Sequence, residues 1–131
     1  MLIEALLGIL IFSIGILAVL GLQAMAVKNT IDAQYRTEAS FLANQIVGTM
    51  WTECGQSCAL SGFATASPNA KTVSWRTQVA SRLPGVVAGG TNSPTITVVG
   101  NVVTVIVFWQ LPGSTSAVHN FQLDAQINSA T

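Results

Sequence analysis

The sequence predicts an α+β fold in which one long amino-terminal helix packs on a small antiparallel three-stranded sheet. Three observations predict it. An apolar run, Ala5–Leu22, passes without a proline into a stripe of apolar residues at helical spacing. Three strand-like runs follow from Thr95 onward, and a Gly100–Asn101 pair between two of them is a two-residue hairpin signal. The 131 residues are one domain's worth of chain, half of them hydrophobic, with five basic and five acidic residues and a net charge of zero. Lys28, Arg36, Lys71, Arg76 and Arg82 are scattered one at a time, so no basic patch marks a direct nucleic-acid partner.

The first helix begins in the run "MLIEALLGILIFSIGILAVLGLQ", where Ser13 is the only polar side chain between Ala5 and Leu22. Those residues span about 27 Å as a helix, close to the roughly 30 Å hydrocarbon layer of a bilayer. "AMA" at Ala24–Ala26 offers small residues for a signal peptidase. However, a signal peptide wants a positive flank and an apolar core of only about 7 to 15 residues. Here the flank carries an acid, Glu4. A carboxylate inside the bilayer costs on the order of 3 kcal/mol when deep and less near the interface. No basic residue precedes Lys28 to offset it. Glu4 therefore either sits at the interface, where a negative charge suits the helix dipole, or finds its counter-charge on another chain.

The helical pattern continues beyond the apolar run. Ile31, Tyr35, Ala39, Leu42, Ile46 and Met50 recur at spacings of four or three, the stripe of an amphipathic helix ending near residue 53. Lys28, Asp32 and Arg36 are i, i+4 neighbours on its solvated face. The chain thus divides into a membrane-spanning segment, 1–27, and a head, 28–131. Together they form one helix of about 50 residues and about 75 Å, followed by the rest of the head.

"CGQSC", Cys54–Cys58, closes that helix and leads into a Ser-, Gly- and Ala-rich loop reaching Asn69. Lys71–Gly85 fits two periods, with Val73, Trp75 and Val79 spaced as in a strand and Trp75, Val79 and Leu83 on one helix face. The stop Arg82-Leu83-Pro84-Gly85 decides for a helix. "GVVAGGTNSP" is a loop. Strands are expected over Thr95–Val99, Asn101–Leu111 and Ala117–Ile127. The middle run is apolar on both faces, as suits a central strand. The last alternates Phe121, Leu123, Ala125 and Ile127 with Asn120, Gln122, Asp124 and Gln126. The sheet is expected to pack on Tyr35–Trp51.

The chemical inventory predicts no enzyme, cofactor or metal site. His119 is the only histidine and is placed on the polar side of its strand by alternation with Val118. Ser114, Thr115 and Ser116 form a hairpin loop without a GxSxG elbow. Gly89 and Gly90 lie in no phosphate-loop pattern. Asp124 and Glu53 form no acid pair, and Trp75 and Trp109 are expected as core or interface anchors.

Leu2–Gln23 resembles the amino-terminal segment of type IV pilins and pseudopilins. Its "SIG" and "GLQ" (Ser13–Gly15, Gly21–Gln23) are most like PilV-type minor pilins, and "FWQLPG" and "HNFQLDAQI" are similar to the closing strands of those proteins. In that family a prepilin peptidase cuts after a glycine, and a glutamate lies five residues into the mature chain. Glu4 matches that glutamate if one mature residue and the leader precede this sequence. The resemblance implies a pilin-like fold and a role as a minor pilin in adhesion, twitching motility and DNA uptake. It also implies partnership with other pilin subunits through the amino-terminal helix, and an inner-membrane location before assembly into an extracellular pilus. For Glu4 it implies a partner, the methylated amino-terminal ammonium of a neighbouring subunit. A type II secretion pseudopilin shares the same segment, and a non-polymerising single-span periplasmic binding protein would not need Glu4. In the oxidising compartment so implied, Cys54 and Cys58 read as a disulfide, with free or intermolecular thiols and a metal site as alternatives.

Overall fold

A computed structural model describes residues 1–55, 59–113 and 118–128. The first helix, α1, runs over Leu2–Cys54 as one element. A single 3-10 turn at Leu60–Phe63 precedes the second helix, α2, at Ala70–Arg82. Three strands follow: β1 at Thr95–Val99, β2 at Val102–Trp109 and β3 at His119–Gln126. The fold is the expected α+β arrangement, with the sheet ordered β1-β2-β3 and antiparallel throughout.

By contacts the chain separates into two units, 1–34 and 35–131. The first is helical, and its apolar side chains are exposed. In the second, Ala39, Leu42, Ala43, Ile46, Val47, Met50 and Cys54 of α1 are buried, the face the apolar spacing marks. Trp51, included in the expected packing range, is instead exposed, because it falls outside the arc defined by Leu42, Ile46 and Met50. Trp75, Val79 and Leu83 are buried together, and Val73 is exposed, so the helical period governs Lys71–Arg82.

Two local features explain where these elements start and stop. Asn69 caps α2, its side-chain oxygen accepting from Thr72 N at 2.8 Å. Gly100, at φ +59°, turns β1 into β2 through the expected two-residue loop, with Val99 opposite Val102. Beyond α2, Gly85 adopts φ +74°, and a Cβ there would lie 2.8 Å from the Cβ of Gln110. Gln110 N donates to Pro84 O at 2.9 Å, which ties the exit of α2 to the end of β2. Glycine is the residue that permits both the backbone sign and the close approach.

The loop expected between Cys58 and Asn69 carries more structure than its composition indicates. Leu60 and Phe63 are buried, Phe63 O accepts from the buried Thr72 hydroxyl at 3.1 Å, and Thr65 N donates to Ile96 O at 3.0 Å. This segment therefore seals the β1 side of the core.

Candidate functional site

Glu4 lies in the first turn of α1 and is exposed, as are its apolar neighbours. No basic side chain of the described residues pairs with it, whereas Glu53 and Glu38 in the same helix are engaged by Lys71 and Arg82 of α2. Both pairs are partly exposed and worth about 1 kcal/mol or less each. The contrast sets Glu4 apart, a carboxylate at the head of an apolar surface with no counter-charge among the described residues.

That surface is continuous. An 18-residue window of α1 has a mean hydropathy of 2.7 and none of it is buried, so it does not serve as the core helix of a soluble fold. The helix is long and apolar enough to cross a membrane and is compatible with membrane anchoring. Its lone interior polar group is satisfied locally, for Ser13 Oγ donates to Ile9 O at 2.7 Å. Gly15 leaves a notch among Ile11, Phe12, Ile16 and Val19 where a neighbouring helix could approach closely.

Several polar groups of the head tie its elements together. Trp75 Nε1 donates to Leu42 O at 2.9 Å inside the core. Arg76 donates through Nε and Nη2 to Ser93 Oγ, at 3.2 and 2.9 Å, which also accepts from Gly89 N at 3.1 Å, so the guanidinium pins the loop between α2 and β1. On the outer face of the sheet Asp124 accepts from Thr104 Oγ1 at 2.7 Å and from the Gln122 amide at 3.0 Å. These bonds, Thr104's first, hold the Asp124 carboxyl below its ordinary range against a small opposing desolvation.

His119 corrects an expectation. It lies on the core side of β3, not the polar side, and its ring stacks on Trp109 with centroids 5.6 Å apart and planes 14° from parallel. The two residues are direct cross-strand partners. The signal was available, because His119 shares its parity with Phe121 and Leu123, and alternation with Val118 was the misleading guide. Trp75 and Trp109 are core residues, 4 % and 0 % exposed. Cys54 is fully buried at the end of α1, whereas Cys58 and the Ser114–Ser116 loop lie outside the described residues. Nothing in the sequence pointed to the Arg76–Ser93 anchor, since the two residues are brought together only by the turn of the loop.

No protein-family model, no curated protein and no solved structure matches this chain.

Proposed function

We propose that this chain is a membrane-inserted structural subunit that polymerises through α1, a minor pilin that helps to initiate, assemble or modify a type IV pilus. The observation that carries the proposal is Glu4: a carboxylate with no basic partner among the described residues, in the first turn of a long helix whose first part is exposed and apolar. Such a group burdens a lone anchor and becomes useful when a second subunit supplies an ammonium beside it. On this proposal the subunit resides in the inner membrane after prepilin-peptidase processing. It then enters an extracellular filament that serves adhesion, twitching motility or DNA uptake.

Replacement of Glu4 separates insertion from assembly. Glu4→Ala removes a desolvation cost from the inserted monomer, so membrane abundance is expected to hold or rise. Within a packed bundle the neighbour's ammonium would lose its carboxylate, a penalty of about 3 to 5 kcal/mol. Incorporation into sheared filaments is therefore expected to fall sharply for Glu4→Ala, with Glu4→Gln near it or between. Normal incorporation of Glu4→Ala would remove the pairing and leave the interfacial, helix-dipole role. Recovery of the wild-type chain only with secretion machinery would favour the pseudopilin alternative. Retention in the membrane while filaments form without it would favour a non-polymerising anchor.

A further inference from the structure

Burial under the sheet is uneven. Val103, Val105, Val107 and Trp109 of β2 are fully buried and Ile96 of β1 is 1 % exposed, whereas Val98 of β1 and Phe121, Leu123 and Ala125 on the same face of β3 are only partly buried. β3 is an edge of the sheet, and among the described residues no element pairs with its outer side. The opposite edge is covered at Ile96, whose backbone N donates to Thr65 Oγ1 at 3.3 Å and whose O accepts from Thr65 N at 3.0 Å.

The direction of the unpaired backbone groups follows from one bond beyond the ladder. Ile127 N donates to Asn101 O at 2.8 Å, one step past the Val102–Gln126 pair. In an antiparallel ladder successive residues alternately direct both backbone polar groups toward the neighbouring strand and both away from it. Ala125, Leu123 and Phe121 share the phase of Ile127 and face β2. Asn120, Gln122, Asp124 and Gln126 consequently direct N–H and C=O outward along the edge.

Natural edge strands are blunted by lysine, proline, bulges or inward-pointing charges. The sequence His119–Gln126 contains no lysine or proline, and its eight residues pair with β2 without a bulge. Its one carboxylate, Asp124, is on the outer face and engaged by Thr104 and Gln122.

We infer that this edge is a docking site for an extended segment of a different protein chain, apolar at alternate positions and without an acid opposite Asp124. It adds as a fourth strand along Asn120–Gln126. The backbone groups at the edge are matched by another extended backbone, and the partly buried Phe121 and Leu123 call for apolar side chains on the same face. A second copy fits poorly. Thr65 blocks its β1 edge at Ile96, which leaves β3, and a parallel β3–β3 contact would set the apolar face of one sheet beside the polar face of the other. An antiparallel contact would make the two copies point in opposite directions, whereas subunits of the proposed filament point the same way, a step that rests on that proposal.

Hydrogen exchange of the full-length chain tests the edge. Amides of Asn120, Gln122, Asp124 and Gln126 are expected to exchange about tenfold or more slowly in isolated cell envelopes and sheared filaments than in dispersing detergent, because an open edge offers them no protection. Equal rates in detergent and in envelopes would overturn the inference. Gln122→Pro deletes one outward N–H without removing a bond to β2, and proline is tolerated at such edge positions. This variant is expected to lose the protection that Gln122→Ala, lacking the same side-chain amide, retains. Should Gln122→Pro not fold, the wild-type comparison still decides. A photo-crosslinker at position 122, introduced as Gln122→benzoylphenylalanine, is expected to label an uncharged, alternating segment of another chain, and labelling of a second copy would overturn that choice of partner. Absence of the wild-type chain from filaments would count against the filament proposal alone, since exchange in envelopes tests the edge independently.

Discussion

The indole Nε1 of Trp75, in α2, donates a 2.9 Å hydrogen bond to the carbonyl oxygen of Leu42, inside α1. Both residues are buried, so the bond crosses the core and fixes the rotation of α2 against the helix that carries the apolar face. Leu42 O keeps its helical role if the indole is removed, so no acceptor is orphaned. Trp75→Phe is therefore expected to fold with a stability loss of about 1 to 3 kcal/mol, from the missing bond and the smaller ring together. Urea unfolding of wild type and variant measures it. A loss below a few tenths of a kcal/mol would mean that the bond does not fasten α2.

All buried apolar side chains of the described residues lie at Ala39 or beyond, and the exposed large apolar side chains cluster between Met1 and Val27. A fragment of residues 28–131 should thus be a soluble, folded monomer. Analytical ultracentrifugation and binding of a hydrophobic dye provide the check. Association, with strong dye binding, would show that the apolar stripe of α1 needs more cover than the head supplies.

At the end of α1, Cys54 is fully buried, at the point where the chain leaves the helix. An intrachain bond to Cys58 is expected to clamp that helix end, adding roughly 2 kcal/mol for so short a loop. Intact mass under non-reducing conditions should fall short of the reduced mass by two hydrogen atoms. Two alkylatable thiols in the native protein would refute the pairing.

Asp124 gives a pH-dependent signature. Its carboxyl is held below the ordinary value first by Thr104 and then by Gln122. A depressed acid contributes stability that is present above the unfolded-state value and is lost as pH falls through the lower folded-state value. Thr104→Val removes the leading donor, so the Asp124 midpoint should rise toward its ordinary value. Carboxyl carbon shifts followed by NMR across the acid range give the result, and an unchanged midpoint would assign the depression elsewhere. The residue is solvent-exposed, and the accompanying change in stability should be small.

Periodicity alone determined much of this protein. An apolar run long enough to cross a bilayer, a stripe at spacings of three and four, and a Gly-Asn turn between β-branched runs each report local geometry. Hence α1, α2 and the order of the strands were legible. Glu4 was legible for the same reason, because a single charge at the edge of a long apolar segment needs no tertiary information to stand out.

Tertiary structure decided what depends on distant partners. Alternation with Phe121 and Leu123 could place His119 on the core side, but its stacking on Trp109 depends on a cross-strand register that local sequence does not encode. Leu60 and Phe63 became core residues only because β1 and α2 converge on their turn, and Arg76 found Ser93 only through the fold of the intervening loop. The fuller burial of β2 than of Val98 in β1 or of Phe121, Leu123 and Ala125 in β3 likewise arises from what lies beside each strand. A strand's own residues set which faces alternate, and the neighbours brought up by the fold set how much of each face is covered.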